Sequence, residues 1–153
     1  MNLKNCLCKA KKISNNKWVT GFLVWIDDKY YIYTGDVLHF PTYSIPECVE
    51  INKHTICRCT GITDNNSSLI WENDIIEFLG EEYEVVFEAG AFGIVTDDSE
   101  PLDYDKIKEA TNTDRKLDCC FNDYFISLWE LLDNFDCEGN CLNVVKVKRN
   151  LYD

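Results

Sequence analysis

Short runs of β-branched and aromatic residues, separated by polar turns, set the pattern of this chain. The clearest is Trp18 to Ile26, then Asp27-Asp28-Lys29, then Tyr30 to Thr34. It predicts a hairpin, because branched and aromatic side chains fit a pleated surface and the polar triplet supplies the reversal. Further strands are expected over residues 54–59, 60–64, 74–79, 83–88 and 92–96, with tight turns at Gly80-Glu81-Glu82 and at Gly90. Residues 4–13 read as an edge strand whose lysines discourage edge-to-edge association. These lengths suit a small curled sheet or barrel. From Tyr124 the period changes: Phe125, Leu128, Trp129, Leu132 and Phe135 recur every three to four residues, with Asn122 or Asp123 placed to cap the start. One amphipathic helix is therefore expected at about 123–136, with a valine-rich strand over 142–147 after Gly139. The fold class that follows is mainly β, a β-rich α+β arrangement.

At 153 residues, 46% hydrophobic and 13% aromatic, the chain can bury an ordinary core as one domain or as two small lobes. The expected division is an N-terminal hairpin region over 1–60, packed on a roll over 61–153 that contains the polar, acidic stretch 97–118 as an insertion. That stretch has no apolar stripe and room for only a short helix around 105–110. The longest apolar run, Trp18 to Ile26, is interrupted by Thr20 and Gly21, so no membrane span is expected. The N-terminus Met1-Asn2-Leu3-Lys4-Asn5-Cys6 lacks the apolar core of a secretory signal, which predicts a cytoplasmic protein. Nine cysteines, an odd number, are then expected to be reduced thiols. Their spacings, Cys6-x-Cys8, Cys57-x-Cys59, Cys119-Cys120 and Cys137-x3-Cys141, include no C-x2-C knuckle, so no structural zinc and no other cofactor is expected.

Charge sharpens the picture. Residues 1–60 hold 8 Lys/Arg and 5 Asp/Glu, a balance of +3, whereas residues 61–153 hold 7 and 22, a balance of -15. An acidic field of that size repels phosphates, so direct nucleic-acid binding is not expected, with Lys4, Lys9, Lys11, Lys12 and Lys17 as one small basic exception. Glu81, Glu82, Glu84 and Glu88 gather around one hairpin, and Asp97, Asp98, Glu100, Asp103 and Asp105 follow in the adjoining stretch. Together they are the expected partner-binding acidic face. Asp97-Asp98-Ser99-Glu100 does not fit a calcium loop. No catalytic pair is expected either: the two histidines are His39 and His54, and His54 and Cys57, three apart on an expected strand, point to opposite faces. Gly-rich phosphate loops are missing from the sequence.

Two blocks carry a family resemblance. The first is Trp18-Val19-Thr20-Gly21-Phe22-Leu23 with Asp28-Lys29-Tyr30-Tyr31-Ile32; the second is Thr60-Gly61, Asp64, Glu72-Asn73-Asp74-Ile75-Ile76 and Tyr83-Glu84-Val85-Val86-Phe87-Glu88-Ala89-Gly90-Ala91-Phe92. These resemble the YopX family of small phage and prophage proteins, with Asn73 where that family has glycine. The resemblance implies an SH3-like roll for the later part of the chain. Joined to the charge asymmetry, it leads to the expectation of a non-enzymatic phage accessory protein. Its acidic surface would meet a basic protein partner, as an anti-CRISPR or anti-restriction inhibitor imitating nucleic acid does. The alternative is a small-barrel nucleic-acid-binding module, which the N-terminal lysines favour.

Overall fold

The computed structural model describes residues 6–35, 48–96, 102–111, 124–135 and 139–153. The loop with His39, Phe40 and Tyr43, the acids Asp97, Asp98 and Glu100, and Cys119, Cys120 and Cys137 lie outside the described residues. The chain is mainly β, as its pattern predicts, and divides into two compact units, Met1–Cys59 and Thr60–Asp153.

In the first unit, strands β1 (Leu7–Lys11), β2 (Trp18–Ile26), β3 (Lys29–Tyr33), β4 (Cys48–Glu50) and the start of β5 (Cys57–Asp64) pair antiparallel in the order β5-β1-β2-β3-β4. β1 is therefore an interior strand and not the expected edge. The β2–β3 hairpin closes through Asp27 and Asp28, both at positive φ (48° and 64°), the backbone of a type I′ turn, which a short polar side chain tolerates. The strand expected from residue 54 starts three residues late. Asn52 accepts a hydrogen bond from the His54 N–H (3.1 Å) and winds Lys53–Thr55 into a 3-10 turn before β5 begins. Cys8, Ala10, Ile32 and Ile51 form a small core against Val19, Tyr30 and Ile56. Gly21 admits no side chain, since a Cβ there would meet the Tyr33 carbonyl oxygen.

The second unit contains the end of β5, β6 (Leu69–Trp71), β7 (Asp74–Phe78), β8 (Glu81–Glu88), β9 (Ala91–Val95), α1 (Tyr104–Thr111), β10 (Phe125–Ser127), α2 (Leu128–Asn134), β11 (Cys141–Leu142) and β12 (Val145–Asn150). Five of these make an antiparallel sheet in the order β10-β9-β8-β7-β12, while β11 runs parallel to β5. The helix expected at 123–136 is shorter than its periodicity suggests. Phe125–Ser127 pairs with β9 as a strand, with the Phe125 ring over Gly93, and Ser127 caps α2 by accepting from the Glu130 N–H (3.1 Å). Leu128, Leu131, Leu132 and Phe135 turn inward onto Ile62, Ile70, Ile76, Phe78, Val85, Ile94 and Val145. Each fully buried aliphatic side chain of this kind contributes about 1.5–3 kcal/mol. Phe78 meets Phe135 edge-on at 5.6 Å between ring centres.

Two buried carboxylates tie the strands of this unit together. Asp64, 1% exposed, accepts from the N–H groups of Asn66 and Ser68 (both 2.9 Å) and of Val147 (3.0 Å). Asp74, equally buried, accepts from the Trp71 N–H and from the Asn150 side-chain amide, each at 2.8 Å. Thr60 works beside them: its hydroxyl donates to the Ile70 carbonyl (2.8 Å) and accepts from the Ile62 N–H (3.1 Å). The residues Thr60, Asp64 and Asp74 of the family-like block thus serve the fold. Replacing Asp64 with Ala strands three inward donors, and we expect a loss of about 3 kcal/mol in urea denaturation followed by tryptophan fluorescence, with an unchanged m value. Asp64→Asn keeps one acceptor oxygen, and its loss should be smaller.

Candidate functional site

The acidic hairpin is β7–β8–β9, and strand alternation decides where its carboxylates go. On β8, Tyr83 and Val85 face the core, so Glu81 lies in the core-side row at the strand's exposed start while Glu82, Glu84 and Glu88 lie on the outer face. Glu82 and Glu88 are six residues apart, roughly 20 Å along a strand. The four glutamates therefore make no single cluster.

On the outer face, Glu77 of β7 stands directly opposite Glu82. Like charges so placed destabilise a sheet. A register shift in β12 between Val147 and Arg149 resolves the conflict, because a bulge lets two consecutive side chains reach the same face. Lys148 Nζ meets Glu77 Oε2 at 2.9 Å and an Arg149 guanidinium nitrogen meets Glu82 Oε2 at 2.8 Å. The hydrogen bond and charge of Lys148 hold the Glu77 carboxyl below its usual range, and Glu77 raises the Lys148 ammonium in return. Part of the expected acidic face is thus neutralised by its own neighbour strand, which sequence reasoning missed because Lys148 lies 71 residues from Glu77.

The other acids meet at the start of β8. Asp103 caps α1, its Oδ1 accepting from the Lys106 N–H at 3.0 Å, and Lys106 Nζ reaches Glu81 at 3.7 Å. Partial burial, and then the charges of Glu81 and Asp103, push the Tyr83 phenol above its ordinary value. Glu81, Asp103 and Tyr83 are therefore brought together, with Asp105 exposed in the first turn of α1, where a helix favours negative charge. Asp103 belongs to the helix cap as much as to any partner surface. Glu84, Glu88, Asp105 and Glu109 carry no ion pair among the described residues.

The cysteine spacings resolve into faces. Cys8 pairs with Arg58 and Lys9 with Cys57, so Cys57 lies on the opposite side of the sheet from Cys8. Cys57 donates to the Thr55 carbonyl (3.6 Å), and the exposed His54 sits in the preceding 3-10 turn rather than on a strand. No group of three or more His, Cys, Asp and Glu gathers to hold a metal among the described residues. Trp71 is buried at 8% exposure, whereas Trp129 turns out from α2 at 45%. In the first unit, Lys9 and Lys11 both lie over the Trp18 ring, 4.9 and 5.4 Å from its centre. A groove of about 470 Å³ in the same unit is lined by Lys12, Tyr30, Glu50, Lys53 and His54 among others, with Lys29 paired to Glu50 at 3.1 Å.

Compared with known proteins, the sequence matches no family model and no curated protein. No helix among the described residues is long and apolar enough to cross a membrane.

The Tyr83 environment yields a pH test. A phenol whose folded value lies above its unfolded value near 10 leaves stability flat below that pH and lowers it as pH rises through the folded value. Tyr83→Phe should flatten the fall in stability measured by urea denaturation as pH rises above about 10. Asp103→Asn should move Tyr83 ionisation, followed by ultraviolet absorbance, toward lower pH.

Proposed function

We propose that this protein is a non-enzymatic accessory protein of the cytosol that binds a basic protein partner through the acidic surface of its second unit. The observation that carries this reading is a shortage of cations. Residues 61–153 hold 22 Asp/Glu and 7 Lys/Arg, so even complete pairing leaves fifteen carboxylates uncompensated. Three of the seven cations, Lys106, Lys148 and Arg149, are already spent on Glu81, Glu77 and Glu82. The remaining charge falls to groups such as Glu84 and Glu88 on β8 and Asp105 and Glu109 on α1, none of which the fold uses as a cap or clamp. A negative surface on a β-sheet frame attracts a basic surface at long range and speeds encounter.

The resemblance to YopX proteins, with its SH3-like roll, supports a phage or prophage origin. The basic partners such a protein meets in a host are the Lys/Arg-lined channels of nucleic-acid-handling proteins. Occupying one of these as phosphates do makes an anti-defence inhibitor, directed at a CRISPR effector or a restriction system.

The test is a parallel affinity capture from phage-infected host cells at low and moderate salt. One bait is the native chain; the other carries Glu84→Lys, Glu88→Lys, Asp105→Lys and Glu109→Lys, four changes that spare Asp103 and the ion-paired glutamates. We expect a salt-sensitive basic partner on the native bait alone, and an association rate for that partner at least about tenfold lower with the reversed chain. A reversed chain that keeps its circular dichroism and binds the same partner at the same rate sinks the proposal.

A further inference from the structure

The sheet of the first unit turns back on itself. Where β1 and β4 run out, Lys12 bridges to Ile51, the Ile13 N–H donates to the Glu50 carbonyl (3.2 Å) and the Asn52 N–H donates to the Lys11 carbonyl (2.8 Å). The groove of about 470 Å³ opens at this closure, and its volume is that of a small-molecule site. It joins apolar surface to cations. Ile51 lies beneath it at 2% exposure, Ile13 borders it at 61%, and the half-buried Tyr30 ring forms part of its wall, with Trp25 stacked on that ring at 6.5 Å. Strand alternation puts Lys12 in the row of the buried Cys8 and Ala10, opposite Ile51, so a half-buried lysine stands at the open end of the small core. Lys53 and His54, both exposed, line the groove as well. Its two carboxylates are Glu50, which Lys29 holds at 3.1 Å, and Asp28 in the β2–β3 turn. Lys12, Lys29 and Lys53 against Asp28 and Glu50 leave one net positive charge, and neither Lys12 nor Lys53 has an ion pair among the described residues.

We propose that this groove binds a nucleoside monophosphate, with the phosphate at Lys12 and Lys53 and the base against Tyr30. Charge and ring together select this class. Lysine is a compact point charge suited to phosphate oxygens, and a doubly charged phosphate uses two ammonium groups where a carboxylate brings a single charge. Every base offers a flat face to an aromatic ring. A bare inorganic anion leaves Ile13 and Tyr30 unused, and an acidic peptide leaves the ring without a stacking partner. Asn52 adds a polar contact: its side-chain oxygen accepts from the His54 N–H (3.1 Å), which fixes the amide and leaves its NH2 group to donate to a ligand. The site belongs to the first unit and does not rest on the acidic-surface reading.

Isothermal titration calorimetry of the full chain with adenosine 5′-monophosphate tests it. A dissociation constant on the order of 10–100 µM is expected for a ligand of this size in an open groove. Adenosine and inorganic phosphate should each bind at least about tenfold more weakly, since each keeps only part of the contacts. Amide shifts in a two-dimensional nuclear magnetic resonance spectrum should gather on residues 12–16, 28–30 and 50–54. Lys12→Gln with Lys53→Gln should weaken binding at least about tenfold, while Lys17→Gln, which removes a cation of the same unit outside the groove, should leave it unchanged. Should the double variant lose its circular dichroism, Lys53→Gln at its exposed position decides alone, with a loss of at least about threefold expected. The proposal is overturned by any of four results: no binding at about 1 mM nucleotide, inorganic phosphate or tetraglutamate binding as tightly as the nucleotide, shifts that gather away from the groove, or unchanged affinity in the folded lysine variant.

Discussion

A buried carboxylate needs a full set of donors to stay in place, and the second unit is arranged around that requirement at Asp64. Its three N–H donors come from the β5–β6 turn and from Val147, 83 residues later, so one side chain fixes a tight turn and holds β12 beside it. Asp74 repeats the device at the C-terminal end of β12 through Asn150. β12 is thus held at its middle, Val147, and at its last residue, Asn150, and the irregularity between Val147 and Arg149 lies between the two clamps. The position of Lys148 and Arg149, and through them the neutralisation of Glu77 and Glu82, follows from two carboxylates that never reach the surface. Core chemistry and surface electrostatics are linked here through the register of one strand.

The surface that results is divided by the pleat. Of the hairpin glutamates, Glu81 shares a neighbourhood with Asp103 and Tyr83, Glu82 is matched by Arg149, and Glu84 and Glu88 stand along the outer face of β8. Among the described residues, these hairpin carboxylates are separated negative points and not one continuous patch. For the basic partner proposed above, spacing as well as charge would then decide what fits.

Much of this was readable in the sequence. The β2–β3 hairpin follows from its aromatic and branched residues and the Asp27-Asp28 turn, because local propensity and tertiary structure agree there. Phe125-Ile126-Ser127-Leu128 fits both a helical and a strand period, and only pairing with β9 and the space above Gly93 settle it as a strand leading into α2. The acidic excess was equally plain from composition. Its pairing was not, since each cation that matters reaches its carboxylate across the sheet or from a helix, at separations no local pattern records. From the sequence Trp18 is a strand residue and no more; its contact with Lys9 and Lys11 depends on the register of β1, a strand expected at the edge.

The turns at either end of β8 bear on the order in which the second unit assembles. Leu79-Gly80 and Ala89-Gly90 both hold their first residue at positive φ, 53° for Leu79 and 49° for Ala89, a conformation that costs an ordinary side chain about 1 kcal/mol or more. Neither leucine nor alanine has a polar side chain to favour that geometry locally, as Asp27 and Asp28 do. Such turns are poor nuclei. Collapse of Ile76, Phe78, Val85 and Ile94 must bring the strands together first, and the two hairpins then zip from their packed middles toward their reversals, which makes β7–β8–β9 a late-closing element whose speed is set by its core and not by its loops.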